Sequence, residues 1–404
     1  MTVLIQGPGL GRINPSDSFG RLRTSSPSSV FDSKQLFDKD PVFWAEKITD
    51  NSGNAASTHA TVDAATTMHV ELDDTIIRQT KTHWNYQPGK SQLVLQTGVL
   101  VDDVDAVGIT ARIGQFTAAD GFFFEYTKAA GLGVVKRKAS SDTRVNSADF
   151  NGDPMDGTGP SSRTFDPTKE YVFWMSYEWL SAGDLLFGVV IDNELVTLHT
   201  FKHFGVISSA FTSTPNLPLR YEISSTSGTA EMLHVCSTVT SEGGADHFGR
   251  VLSAALGPST ATITAATADV IYGIAAVRLK DTHLDATVTP LSVSLLSLST
   301  NKDFEWFLAV NPTVAGDIGF ADVDNSAVQF APGIATNVVT GASWLIRFSG
   351  GYASANENIA DELLFSPLHL GSDVDGVRDE VWLCARPLAV NVDFLAALSW
   401  QELS

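Results

Sequence analysis

The sequence predicts an all-β protein: an extended N-terminal arm followed by two β-sandwiches of jelly-roll type. Three observations predict it. From about residue 68, apolar residues recur at every second position, the period of a strand. Turn-forming clusters such as Asp120-Gly121 and Asn151-Gly152-Asp153-Pro154 break these runs at roughly 8–12-residue spacing, as in sandwiches. No stretch offers a three-turn amphipathic helix that competes with the strand reading, and only Val251–Leu256 and Phe394–Leu398 compete at all.

In chain order, residues 1–44 form the arm. Its first 40 residues hold five basic and four acidic side chains, so the rest of a chain of net charge −20 is strongly acidic. Gly7, Pro8, Gly9, Gly11, Pro15 and Pro27 punctuate the segment too densely for a helix or a long strand. Its apolar residues, among them Phe19, Leu22 and Phe31, are too many for a solvated tail. They read as assembly anchors, flanked by Arg21 and Arg23, that pack on a neighbour.

Residues 45–250 form the first β domain. In Val107–Ile113 apolar side chains alternate with Gly108, Thr110 and Arg112. Tyr171–Tyr177 is apolar on both faces, the mark of a central strand. Leu185–Asp192 and Leu195–Phe201, joined at Asn193-Glu194, read as a hairpin. The Ser241-Glu-Gly-Gly244 stretch is the boundary, and residues 251–404 form the second β domain, with strands such as Val270–Lys280, Phe304–Val310 and Val381–Ala385.

The 404 residues carry 26 Lys+Arg against 46 Asp+Glu, a balance opposed to general nucleic-acid binding. The first ten residues lack a basic segment followed by an apolar one, so no secretory signal is expected. The longest apolar runs fall far short of the roughly 20 residues a membrane span needs. Two cysteines, Cys236 and Cys384, cannot build a disulfide framework and read as buried thiols.

Chemistry-bearing motifs are sparse. Asp149, Asn151 and Asp153 begin like a calcium loop, but Pro154 stands where the turn glycine belongs and Pro160 where the bidentate glutamate belongs. Asp373, Asp375 and Asp379 are a second weak calcium candidate, with Arg378 among them to neutralise the carboxylates. No cofactor site is expected: Gly7-Pro-Gly-Leu-Gly11 neither follows a strand nor opens a helix. His199 and His203 lie four apart in a strand-and-loop context and do not share a face. Polysaccharide hydrolysis needs two carboxylates across a cleft, and Glu125 and Glu178, both in aromatic strands, are the best pair. The rings of Trp84, Tyr86, Phe122, Phe123, Phe124, Trp174, Tyr177 and Trp179 could stack on sugars, but the excess of Phe favours core or interface.

A set of ordered motifs resembles a family of structural proteins of tailed-bacteriophage virions. They include Phe19-Gly-Arg-Leu-Arg-Thr-Ser25, Arg78-Gln-Thr80 with Tyr86-Gln-Pro-Gly-Lys-Ser-Gln92, Asp120-Gly-Phe-Phe-Phe-Glu125 and Met155-Asp-Gly-Thr-Gly159. They continue through Ser213-Thr-Pro-Asn-Leu-Pro-Leu-Arg-Tyr-Glu222, Asn311-Pro-Thr-Val-Ala-Gly316, Gly371-Ser-Asp-Val-Asp-Gly376 and Trp400-Gln-Glu-Leu403. The chain departs from the family pattern at Leu180-Ser-Ala-Gly183. The resemblance implies a head- or tail-associated virion component and brings no catalytic residues with it. The expected function is therefore a non-enzymatic virion part: a fibre, decoration or baseplate element. It would join other virion proteins through the arm and form a homotrimer with Trp84–Tyr86 near the interface. A jelly-roll adhesin for a host-surface glycan is the alternative, and a polysaccharide hydrolase the third reading.

Overall fold

The computed structural model describes residues 26–244, 249–256, 263–299, 302–350, 354–358 and 369–403. The chain is all-β and entirely antiparallel in its strand pairing, built as two β-sandwiches with one three-residue 3-10 turn at Ser147–Asp149 among the described residues. Val251–Leu256 and Phe394–Leu398 are strand rather than helix: Arg250–Ala255 pairs along Val392–Leu403. The latter alternates buried and half-buried residues without a break, the period-two pattern that decides for strand.

The first sandwich faces an eight-stranded sheet against a seven-stranded one. The seven-stranded sheet runs, edge to edge, Ser141–Asn146, Gly131–Lys138, Gly121–Thr127, Ile109–Phe116, Leu219–Ser225, Thr75–Thr80 and Trp44–Thr49. In the eight-stranded sheet Tyr171–Tyr177 lies between Gln92–Val99 and Leu185–Ile191, the central position its apolar faces predict. The hairpin is present, with the turn at Asp192-Asn193. Both residues have positive φ, 52° and 66°, the conformation a two-residue hairpin turn demands and Asx side chains tolerate. One core fills the space between the sheets, from Met68, Val94, Phe173 and Phe187 on one side to Ile76, Ile113, Phe122 and Tyr221 on the other. The second sandwich sets a five-stranded sheet against a six-stranded one around Trp306, Leu308, Val288, Phe394 and Trp400.

Part of the predicted arm is sandwich. Ser28–Lys34 is a strand paired with Ala230–Ser241 of the same chain, and Phe31 is buried against Trp84, ring centroids 4.3 Å apart. The punctuation that excludes a strand ends at Pro27, and the Val30-Phe31 pair finds its apolar partner within the chain. Phe31 is thus a core residue rather than an assembly anchor; Phe19, Arg21, Leu22 and Arg23 lie outside the described residues. Trp84 and Tyr86 are likewise buried in the first core, Tyr86 stacked on Tyr177, which corrects their placement near a subunit interface.

Arg78 locks the segment that follows the first strand. Its guanidinium, fully buried, donates to Glu46, to Gln35 Oε1 (3.0 Å) and to the Lys39 carbonyl (2.8 Å), and Nε donates to His234 Nδ1 (3.1 Å). Burial opposes ionisation of Glu46. Hydrogen bonds from Lys39 and Ser57 and the charge of Arg78 outweigh it and hold the carboxyl below its usual range.

The sandwiches meet along a polar seam. Ser372 N–H donates to the Lys81 carbonyl (3.0 Å), Thr287 Oγ1 to the His83 carbonyl (3.0 Å) and Thr214 Oγ1 to Asp285 (2.9 Å). Gly371 approaches the Lys81 carbonyl so closely that an added Cβ would sit 2.7 Å from its oxygen, which explains a glycine there.

Candidate functional site

The calcium candidates are spent on loop closure. Asn151 clamps the edge strand Glu194–Phe201, accepting from Thr200 N–H and donating to its carbonyl, both at 2.8 Å. Asp153 accepts from the N–H groups of Met155 (2.8 Å) and Ser161 (2.6 Å), while Asp149 ends the 3-10 turn. In the second group Asp373 accepts from the N–H groups of Asp375 and Val377, Asp375 pairs with Lys47, and Asp379 takes Asn311 Nδ2 at 2.6 Å and Lys81 at 3.5 Å. These carboxylates diverge into separate contacts; among the described residues no cluster of three metal-ligating side chains forms.

His199 and His203 also part company. His199 packs against Phe150 and Phe201. His203 stacks on Phe211, places Nδ1 2.6 Å from the Gly183 carbonyl and Nε2 2.9 Å from Lys136 Nζ. Burial keeps its pKa below the usual value, as it does for His199. Of the aromatic candidates, Trp84, Tyr86, Phe122, Phe123, Phe124, Trp174 and Tyr177 are buried, and Trp179 is half-buried with its indole N–H on Thr212 Oγ1. None of the seven presents a bare ring face. Cys384 is buried, its thiol pushed up to about 12 by desolvation, whereas Cys236 is half-buried and donates to Thr97 Oγ1 (3.3 Å).

Two crevices open along the seam. One, of about 220 Å³, lies between Phe43, Lys81, His369 and Asp379; the other, of about 500 Å³, between Asn216, Lys280, Asp285 and Glu402. Their carboxylates already serve the seam or their own sandwich: Asp285 takes Thr214, and Glu402 accepts from Ser326 Oγ, Ala327 N–H and Trp400 Nε1.

The charged face that sequence reasoning missed is the outer side of the seven-stranded sheet. Strand alternation sends Ile113, Phe122, Phe124, Leu219 and Tyr221 into the core and their neighbours outward. Register then aligns Glu222, Arg112 and Glu125 across three strands, and Arg220, Gly114, Phe123 and Val135 in the next row. Arg112 donates from Nε to Glu125 (2.8 Å) and from Nη1 to Glu222 (2.5 Å). Arg144 donates to the other oxygen of Glu125 (2.9 Å), Arg220 to the other oxygen of Glu222, and Arg137 to both oxygens of Asp142 (2.7 and 2.9 Å). Burial opposes ionisation of Glu222, but the charges of Arg220 and Arg112 outweigh it and hold its carboxyl below the usual range. Beneath lie Phe116 and Phe123, both without exposed surface, their rings 4.4 Å apart. Arginines roof them: the Arg137 guanidinium carbon is 4.8 Å from the Phe123 centroid and that of Arg220 5.1 Å from Phe116. The sequence signal existed in the alternation of Arg112 with apolar neighbours, but the pairing of Glu125 with two arginines needs the register.

Glu125 and Glu178 are not partners across a cleft. Glu125 belongs to the seven-stranded sheet, and Glu178 follows the Tyr171–Tyr177 strand of the opposite sheet. Arg112 and Arg144 occupy both oxygens of Glu125.

No family model and no curated protein matches the chain. Among solved structures, just over half of the chain is similar to an endo-1,3-beta-glucanase from Streptomyces sioyaensis (11% identity, 55% of this chain and 99% of that one, TM-score 0.35). It is also similar to a legume lectin-like domain from Entamoeba histolytica (8%, 52% and 96%, TM-score 0.32). A third is the CBM2 module of the evolved Dit of Lactobacillus casei BL23 phage J-1 (9%, 56% and 100%, TM-score 0.35). At these scores the likenesses assign no function to this chain.

Proposed function

We propose that the chain is a non-enzymatic structural component of a tailed-phage virion, a fibre, decoration or baseplate part that assembles through residues 1–25. The observation that carries this reading is where the carboxylates go. Those of Glu46, Glu125, Asp153, Glu222, Asp285, Asp379 and Glu402 each join one strand, loop or sandwich to another. Such bonding builds a stiff block, which is what a particle part requires. The motifs along the chain that resemble those of virion structural proteins support the same reading.

The experiment is a truncation. Ser28–Lys34 belongs to the sandwich, so the deletion stops at residue 25. A chain lacking residues 2–25 should fold with an unchanged thermal midpoint and fail to enter particles. Normal incorporation would overturn the proposal.

A second reading, an adhesin for a host-surface glycan, is favoured by one observation: the outer face of the seven-stranded sheet carries a polar, guanidinium-rich surface over a floor of buried rings. The two readings are compatible in one particle part.

A further inference from the structure

The outer face of the seven-stranded sheet presents an asymmetry between its acids and its bases. Every carboxylate oxygen of Glu125, Glu222 and Asp142 already accepts from a guanidinium. Around Arg112 and Arg144 the acids are also set deeper, whereas at the edge of the face Asp142, 37% exposed, lies further out than Arg137 at 12%. The side chains of Glu125 and Glu222 are 11% and 9% exposed, those of Arg112 and Arg144 23% and 20%. Arg112 Nη2 and Arg144 Nη1 have no acceptor among the described residues. What meets solvent around Arg112 and Arg144 is therefore a set of donors with few acceptors among them. Four guanidiniums stand against three carboxylates, a local excess of positive charge on a chain of net charge −20.

The floor is shaped to hold these groups flat. An added Cβ at Gly133 would lie 2.6 Å from Arg144 Cζ, so this glycine is the space in which the guanidinium rests on the sheet. An added Cβ at Gly114 would lie 2.5 Å from the Phe123 backbone. Arg220 Nε is buried without an acceptor. A neutral sugar offers hydroxyls that need acceptors as well as donors, and this face has spent its acceptors. A planar, donor-only guanidinium surface matches a carboxylate, which it binds in a two-pronged fashion.

We infer that this face, centred on Arg112 and Arg144 over Gly133, binds an acidic polysaccharide through its uronate carboxylates. The inference rests on the glycan-binding reading and narrows it to a charge class. The two guanidiniums flank Glu125, so adjacent sugar carboxylates can engage them in turn while the ring faces lie over the arginine-covered Phe116–Phe123 floor. Charge attraction of this kind weakens with salt.

The test uses the full chain and three probes of equal length: an oligogalacturonate, its fully methyl-esterified form and an oligoglutamate peptide. Calorimetric titration should detect the oligogalacturonate, with affinity falling as salt rises from about 0.05 to about 0.3 M. The ester and the peptide should bind at least about tenfold more weakly, a loss set by the guanidinium–carboxylate pair. Arg144→Gln, which leaves Glu125 paired with Arg112, should reduce affinity about tenfold. Gly133→Ala keeps every charge, displaces the Arg144 guanidinium and should reduce affinity comparably, so the test survives if one variant fails to fold. Equal binding of ester and acid would overturn the inference yet keep the glycan-binding reading. Absence of binding to both sugars would sink both. Equal binding of the peptide would assign the face to acidic protein instead, and undiminished binding by folded R144Q and G133A would place the ligand elsewhere.

Discussion

Two sheets of this protein bury apolar clusters on the side that faces away from their sandwich core, and they roof them differently. In the six-stranded sheet of the second sandwich, Phe307, Trp382 and Cys384 lie outward with Ala276 and Ala331. The chain itself covers them. The 315–320 segment crosses the cluster, with Phe320 edge-on to Trp382 at 6.3 Å and Arg278 stacked on Phe320 at 3.8 Å. Asn337, fully buried, pins the segment by donating to the carbonyls of Ala315 (2.9 Å) and Asp317 (3.2 Å). In the seven-stranded sheet of the first sandwich, Phe116, Phe123 and Val135 are equally buried, but the roof is arginine side chains. A roof of backbone closes a face into a second core. A roof of guanidiniums seals the rings from water and still offers hydrogen-bond donors to whatever lands on it.

The largest effect should come from opening the closed face. Trp382→Ala removes a fully buried ring from beneath the 315–320 segment and should destabilise the second sandwich by about 3–5 kcal/mol in denaturant unfolding. A cost below about 1 kcal/mol would mean the segment is not held by the cluster.

Next comes Glu222→Gln, which leaves Arg112 and Arg220 without the charge that sits between them. Breaking a mostly buried ion pair on one side should cost about 3 kcal/mol, more than a surface bridge and less than the lost ring. Equilibrium unfolding of the variant at neutral pH checks this, and a loss within about 0.5 kcal/mol would show the ladder to be solvated.

Acid should act more gradually. Desolvation lowers His83, fully buried beside the seam, to about 4. A depressed histidine takes up more protons unfolded than folded, so its contribution is present above about 6.5 and is lost as pH falls toward 4. Asp74 extends the trend. Burial opposes its ionisation, but hydrogen bonds from Ser52, Glu71 and Asn51 hold it at about 2, so its contribution goes between about 4 and 2. A thermal midpoint flat from pH 7 to 4 would contradict the first step, and His83→Gln should make that limb shallower without abolishing it, because burial also depresses His199, His203 and His234, while leaving the lower limb unchanged.

Much of the fold was legible because alternation is local. Tyr171–Tyr177 announces a central strand in its own residues, and Asp192-Asn193 stands where a tight turn must, one residue from the predicted place. The arm was misjudged in part because proline and glycine density ends at residue 27, and nothing local says that Phe31 finds Trp84 some fifty residues on. The Arg–Glu ladder was least legible. Glu125, Arg112 and Arg144 become a unit only through the register of four strands, and the aromatic strands around them invited a pairing of Glu125 with Glu178, which lies on the opposite sheet.

Self-association of the subunits is read by sedimentation of the intact chain at micromolar concentration in about 0.15 M salt, where screening relieves repulsion between acidic subunits. The expected result is a homotrimer, three times the 43.2 kDa chain mass, that falls to monomer when residues 2–25 are removed. An intact chain that sediments as a 43.2 kDa monomer would contradict it.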